Sequence, residues 1–561
     1  MPPTGTTEPI ILVMAEAPGE TEDIKGEQLV GPSGELFRPL IPEKFLPWIR
    51  WDNVVRCRPP SNRTPTDMEI TCCEKFHEED IVETRPFAIF GLGNVPLQWA
   101  LGQTGITKWR GRVIPVRFGD HACWYFPFFH PAALLRSRRS DKRGRIIESD
   151  DEFATKLDIA RAFELIETLP EPKVYTEQDA KENVTCITGR QRGDAQKVIS
   201  FLERAGREKY AGFDYETQNL RPYEHDSRIL TVAISIGDET VAFPLDHPES
   251  GFRGYDAELV RDALVQFIVS PCRKIVHNLA FEMEWTAYFF GRDKLRASRW
   301  EDTIVQAFVI DERPNCFSLE FLSIQHFGIN LKKLSDFLNK KALHTEPLLD
   351  VLLYNGMDAK FHYLLFWRQI GYIEQERLDN VYDEHIRRIP TVVMTQMKGF
   401  PVDFKVNKQL SDKYTARIKE VLAQLAEEPE YEAYRYKTGQ SFNPGSTRDV
   451  GILLKDIIKT SHGRQENGKY STDEDVLVRV DRNITRLILE YRKVTKANST
   501  YIEPYNKDNP KTVIHDDDLV HTVYQTIFTT TGRLSSDSPN VQNIVKRDSE
   551  MVEIRSQFIP R

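Results

Sequence analysis

The chain has 561 residues, too many for one hydrophobic core, so roughly three or four domains are expected. Its 40% hydrophobic and 28% charged residues are ordinary for a globular protein. No apolar run approaches the roughly 18 residues of a membrane span, and MPPTGTTEP lacks the basic and apolar regions of a secretory signal, so a soluble intracellular protein is expected. Seven scattered cysteines argue against a disulfide framework and for a reducing, cytoplasmic setting. The net charge of −9 excludes little, because a polyanion is held by where cations sit and not by their sum.

From about Pro9 to Pro131, short apolar runs (IILVM, FAIFGL, CWYFPFF) alternate with helical stretches, which predicts βα units on a parallel sheet. Glu16 and His130 each follow an apolar strand, so both fall at the carboxyl rim of that sheet, where ligands bind. A basic cluster follows at Arg136, Arg138, Arg139, Lys142, Arg143 and Arg145; taken alone it reads equally well as a solvated face. The pieces AEAPGETED, GEQLVGPSGELF, NVVRCRPPSNRTP and HPAALLR resemble a family 4 uracil-DNA glycosylase. The resemblance implies that the Glu16 segment positions the attacking water, Asn53 reads the uracil edge and His130 stabilises the departing base anion. Arg136 and its neighbours would then grip the strand around a flipped nucleotide. Two departures stand out. Leu29 occupies the position where the family stacks an aromatic residue on the base. Of the family's four cluster cysteines, only Cys57 and Cys73 have counterparts, so no iron–sulfur cluster is expected. An active glycosylase and a retained fold used for DNA binding or uracil sensing both stay open.

A charge-rich stretch, Ser137 to Lys173, is helical at KLDIARAFELIETL and reads as a linker or packing helix. Paired β-runs then begin at Tyr210 (YAGFDYE, ILTVAISIG, ETVAFPL), and helices dominate from about Phe281 to Glu374. In FDYET, strand alternation puts Asp214 and Glu216 on one face. HNLAFEMEW opens an amphipathic helix with Glu282, and YNGMD places Tyr354 and Asp358 four apart on one helix face. Hard divalent cations take oxygen ligands, and two of them bridged by such carboxylates activate water and stabilise the leaving oxygen of a phosphodiester. The arrangement resembles the DEDDy 3′–5′ exonuclease domain attached to A-family DNA polymerases, from about Tyr210 to Trp367. It implies a ribonuclease H-like domain in which Asp214, Glu216, Glu282 and Asp358 hold two Mg²⁺ or Mn²⁺ ions and Tyr354 orients the water. The family usually carries Asp at the position of Glu282, so a changed rate is expected and not a lost activity. Asp302, in WEDTIVQAF, matches a further acidic position of these domains.

After Ile389 the chain is mostly helical and charged until a β-like stretch near Leu519–Phe528. In TTTGRLSSDSPNVQNI, Arg533 can hold a phosphate bidentately, while Gln542 and Asn543 offer amides to a minor-groove edge. MKGFPVD, YSTDEDVL and EYRKVTKANSTYI precede it, the last carrying Arg492, Lys493 and Lys496. These segments resemble the thumb and signature of A-family DNA polymerases, which implies a phosphate grip by those three cations. The final VEIRSQFIP reads as a strand entering the palm sheet. In the family both catalytic aspartates and the fingers helix come later. A second polypeptide carrying the fingers and remaining palm is therefore expected; a natural split, an interrupted gene and a truncation are not separated.

The expected architecture is a multidomain α/β and α+β chain. Residues 1–136 would form a glycosylase-like parallel α/β sandwich and 137–205 a linker. The ribonuclease H-like exonuclease would span 206–385, and a mostly helical thumb with partial palm 386–561. The expected function is the front part of a replicative A-family polymerase that proofreads and binds primer–template and single strands. Its location would be the cytoplasm, that of an infected host if phage-encoded. The alternative is a DNA-binding or repair module, recognising or excising uracil and trimming ends, without a polymerase role.

Overall fold

Strands form where the sequence concentrates apolar, β-branched and aromatic residues. In the computed structural model, which describes residues 1–140, 146–465, 469–529, 531–544 and 551–560, these strands build two six-stranded sheets and three short ladders. Lys142, Arg143 and Arg145 of the basic cluster lie outside the described residues. The chain divides into two compact units: Met1–Leu220 with Arg228–Arg387, and Arg221–Ser227 with Arg388–Arg561.

The first sheet comprises β1 (Thr4–Gly5), β2 (Ile11–Ala15), β3 (Ile49–Asn53), β4 (Ala88–Leu92), β5 (Ile114–Phe118) and β6 (His121–Phe128). Its order is β1-β3-β2-β4-β6-β5, parallel through β3-β2-β4-β6 and antiparallel at both edges. β2 is buried along its whole length, as a parallel strand covered on both faces must be. Leu12 and Met14 feed one core; Ile11, Val13 and Ala15 feed the other. The helix Asp150–Ile166, capped by Ser149, lays Ile159, Ala162, Phe163 and Ile166 on that second core. The stretch read as a linker is thus partly core of the first sheet. Between them, β7 (Arg139–Ser140) pairs with β8 (Ile146–Ile147).

The second sheet contains β9 (Val184–Cys186), β10 (Tyr210–Thr217), β11 (Ile229–Ile236), β12 (Glu239–Pro244), β13 (Arg273–Val276) and β14 (Arg299–Asp302). Its order is β14-β13-β10-β11-β12-β9, with an antiparallel meander β10-β11-β12 and parallel neighbours outside it. The remainder of the expected linker therefore contributes an edge strand here. The helix Leu348–Gln375 crosses this sheet at close range. A Cβ on Gly212 would stand 2.3 Å from the Ala359 carbonyl oxygen, and one on Gly356 would stand 2.4 Å from Val184. Only glycine lets the helix come so near β10 and β9.

The two sheets share a core, which the sequence reading, with separate domains at 1–136 and 206–385, did not foresee. The Trp109 ring lies 4.1 Å from that of Phe321, and Ile114, Phe317, Phe327 and Leu365 belong to the same apolar cluster. A charged seam borders it: Asp311 pairs with Arg112 at 2.8 Å and Arg313 at 2.6 Å, and Arg313 donates to the Arg110 carbonyl at 2.8 Å.

In the second unit the helices Phe404–Ala426 and Asn483–Tyr501 pack through Leu410, Tyr414, Val494 and Ala497. A separate cluster gathers around Tyr434, Leu453, Leu477 and Ile488. β15 (Phe400–Pro401) pairs with β16 (Leu519–Val520), and β17 (Val523–Gln525) with β18 (Ser535–Asp537). The final segment corrects the strand expected there. Val552–Gln557 is a 3₁₀ turn, and only Phe558 bridges to Val402. The reason is Gln557: its carbonyl accepts from Asp403 N–H at 2.7 Å and its buried amide bonds Asn407 and Tyr501, which holds this segment as a turn. Among the described residues no helix is long and apolar enough to cross a membrane.

Candidate active site

Asp214 and Glu216 leave the same face of β10, opposite Ala233 and Thr231 of β11. The close-packed helix Leu348–Gln375 brings Asp358 to them, and oxygens of Asp214, Glu216 and Asp358 all lie within 4.8 Å of one another. Tyr354, one turn earlier, hydrogen-bonds Asp358; burial and that carboxylate push its phenol far up, so it stays protonated and donates. Burial holds Asp214 well above the ordinary carboxyl range, reinforced by Glu216, Asp358 and Glu282 and opposed by Asn355. Burial does the same to Glu216, reinforced by Asp358, and brings Asp358 to about 6 against the pull of Lys340.

Glu282 stands outside that trio but close enough for its charge to act on Asp214 and to feel Glu216. It occupies the first turn of the helix Leu279–Phe289 and is almost fully buried, with Oε2 lacking a hydrogen-bond partner among the described residues. Asp302 places it. One Asp302 oxygen accepts from Leu279 N–H at 2.8 Å and the other from Ile304 N–H at 2.8 Å, pinning the starts of two helices at once. Asp302 is therefore a positioning residue.

Buried carboxylates that repel one another, and an oxygen with no partner, fit a hard cation. Asp214, Glu216 and Asp358 would hold one, with Glu282 beside them. When bound, it supplies charge at a reacting phosphate and acidifies water. Three neighbours escaped the sequence reading. Asn355 Nδ2 donates to Asp214 Oδ2 at 2.6 Å. His362 donates from Nδ1 to the Phe213 carbonyl at 3.1 Å and lies 3.9 Å from Asp214. The Lys340 ammonium sits 4.3 Å from the Tyr354 ring centre. Asn355 and His362 could have been found as helix-face neighbours of Asp358; Lys340 lies in a turn with no local signal.

The carboxyl rim of the first sheet gathers the glycosylase-like residues. Ala15, just before Glu16, pairs with Asn53, and His130 follows β6 as the cap of the helix Pro131–Ser137. Burial raises Glu16 and Arg136 opposes it. Burial, then Arg136, brings His130 down to about 4, so its ring is neutral. Ala132 N–H donates to His130 Nδ1 at 3.1 Å, which leaves the ring proton on Nε2 as the donor. Leu29 packs into the apolar core with Phe37 and Trp51, in left-handed backbone at φ 48°. It is a core residue and not a stacking surface.

In the second unit Arg533, Gln542, Asn543 and Lys496 are exposed, while Lys493 is half-buried. Arg388 donates to the carbonyls of Thr526 and Gly532 at 3.2 Å each, holding the loop that presents Arg533. Arg492 departs from the expected phosphate grip: its guanidinium donates inward to the carbonyls of Pro444 at 3.1 Å and Thr472 at 2.7 Å.

Residues 2–152 match the uracil DNA glycosylase superfamily, 192–368 a 3′–5′ exonuclease family and 412–561 DNA polymerase family A. A type-4 uracil-DNA glycosylase of Sulfurisphaera tokodaii is 34% identical over 158 residues, 27% of this chain and 70% of that protein. A DNA polymerase of Bacillus phage SP01 is 22% identical over 621 residues, covering 97% of this chain and 63% of that one. DNA polymerase I of Helicobacter pylori is 27% identical over 375 residues, covering 65% of this chain. The chain spans 38% of the length of that bacterial polymerase.

Proposed function

Because this chain joins a segment of the uracil DNA glycosylase superfamily to a 3′–5′ exonuclease and a segment of DNA polymerase family A, we propose that it removes nucleotides from DNA 3′ ends as the proofreading part of a polymerase. The observation that carries the proposal is the meeting of Asp214, Glu216 and Asp358 within 4.8 Å. Two Mg²⁺ or Mn²⁺ ions would bind there, with Glu282 completing the set. Tyr354, kept protonated, would orient the attacking water by accepting from it while donating to Asp358. Asn355 fixes the orientation of Asp214, and Lys340 sets a positive charge beside Tyr354 and Asp358.

Primer–template would be held by the exposed Arg533, Gln542, Asn543 and Lys496, with Lys493 beside them. The fold and the relatives lend no support to a second polypeptide. For the first sheet the reading is a base-binding pocket formed by Glu16, Asn53 and His130, with Arg136 on the strand. Degradation of 5′-labelled single-stranded DNA with Mg²⁺ or Mn²⁺ tests the central proposal. Asp214→Ala is expected to slow it by about 10³-fold or more without unfolding the protein. An unchanged ladder from the folded variant would sink the assignment.

A further inference from the structure

We propose that Gln28 decides what the pocket of the first sheet can read, by occupying the side-chain amide of Asn53 in place of a base carbonyl; this rests on reading Glu16, Asn53 and His130 as a base pocket. Gln28 and Asn53 are only 1% and 3% exposed, and Asn53 Nδ2 donates to Gln28 Oε1. Chemistry fixes the orientation of this pair. Gln28 Nε2 donates to the Pro2 carbonyl at 3.2 Å, and a carbonyl can only accept. Gln28 must therefore turn its nitrogen to Pro2 and its oxygen to Asn53, and Asn53 must answer with its nitrogen.

The backbone that carries both side chains is held as well. Asn53 N–H donates to Asp52 Oδ1 at 2.8 Å, and Asp52 is held by Arg56 at 2.8 Å and the buried His77 at 3.0 Å. Arg38 donates to the Gln28 carbonyl at 2.7 Å and the Leu29 carbonyl at 2.9 Å, with its guanidinium 4.4 Å over the Trp51 ring. The loop is tight as well: a Cβ on Gly34 would stand 1.6 Å from the Leu29 carbonyl oxygen. A uracil edge offers carbonyl acceptors where a cytosine edge offers an amino donor. Gln28 Oε1 already gives Asn53 the acceptor that a uracil would bring. Uracil must displace a buried, anchored hydrogen bond to be read, and the domain holds single strands without preferring it.

The test uses the full chain in EDTA, so that strands are not degraded, with oligonucleotides that differ only in one deoxyuridine or deoxycytidine. Fluorescence anisotropy gives the two affinities. The natural chain is expected to bind both within about twofold. Gln28→Ala should prefer deoxyuridine by about tenfold, the worth of one recovered hydrogen bond. That preference should vanish when Asn53→Asp is added. If Gln28→Ala fails to fold, Gln28→Met keeps the volume without the acceptor and carries the same expectation. A natural chain that prefers deoxyuridine as strongly as the variants overturns the role of Gln28 and leaves the pocket reading standing. No preference in any folded variant overturns both. A preference that survives Asn53→Asp overturns the role of Gln28 through Asn53.

Discussion

Asn355 donates from Nδ2 to Asp214 Oδ2 at 2.6 Å while its own oxygen accepts from the Thr231 hydroxyl at 2.9 Å. The amide is buried, so its orientation is set on one side by the sheet and on the other by the carboxylate. Such outer partners orient metal ligands, and losing one typically costs about 10- to 100-fold in affinity or rate. Asn355→Ala is expected to weaken Mn²⁺ binding by that amount, measured by calorimetric titration, with exonuclease rate falling in parallel. Unaltered Mn²⁺ affinity in a folded variant would show that Asp214 needs no such support.

The metal-free protein should lose stability as pH rises. Burial and mutual repulsion raise Asp214, Glu216 and Glu282 well above their ordinary range and Asp358 to about 6. A carboxyl with a raised folded pKa contributes stability that is fully present below its unfolded pKa, roughly 4, and is lost as pH climbs through the folded value. His130 and His362, both brought to about 4 by burial, act oppositely: their contribution is present above roughly pH 6.5 and lost as pH falls toward 4. The carboxylates therefore dominate above about pH 6.5. A cation binds their ionised form, so Mn²⁺ should raise Tm more at about pH 8.5 than at about pH 5.5. Asp358→Asn should raise the metal-free Tm at the higher pH and shrink the response to metal. Equal metal-induced shifts at both pH values would contradict the argument.

The trio was legible because local rules produce it. Strand alternation pairs Asp214 with Glu216, and the helical period pairs Tyr354 with Asp358. What the sequence did not show depends on tertiary approach. Gly212 lets a helix lie close on β10 and Gly356 lets it lie close on β9, and nothing in FDYET or YNGMD states how near they come. Lys340 reaches Tyr354 from a turn. The shared core was hidden for the same reason: an apolar pattern says that Trp109 and Phe321 are buried, not that they meet. VEIRSQFIP has a strand's texture, yet the bonds of Gln557 to Asp403, Asn407 and Tyr501 hold it as a turn. Arg492 looked like a phosphate ligand because its two carbonyl partners come from distant loops.

That inward placement separates the cations of the helix Asn483–Tyr501. Arg492→Ala should destabilise the second unit by about 1–3 kcal/mol, since two carbonyls lose a charged donor, seen as a lower urea midpoint. Lys496→Ala, on an exposed side chain, should leave the midpoint alone. It should weaken primer–template binding and reduce the salt slope of log K by about one. A reversed pattern, with Arg492→Ala flattening the salt slope of a fully stable protein, would restore Arg492 to the DNA surface.

Trp109 belongs by sequence to the glycosylase-like segment, yet its loss should cost the exonuclease its heat resistance. The indole is wholly buried, 4.1 Å from Phe321, in a cluster that runs on through Phe317, Phe327, Phe361 and Leu365. Phe361 and Leu365 lie on the helix that carries Tyr354 and Asp358, so the cavity left by Trp109→Ala lies in the same core as the scaffold of the metal site. Truncating a buried aromatic to alanine costs about 3–5 kcal/mol, because little of the cavity collapses. With the seam of Arg112, Asp311 and Arg313 beside it, the two sheets should melt together and not as separate domains. Calorimetry should show one transition for this unit, displaced downward by several degrees in Trp109→Ala. Exonuclease activity surviving a brief heat step should fall over the same interval. If the variant instead splits the transition, with the glycosylase-like part melting early and exonuclease activity persisting to its original temperature, the core is not energetically shared.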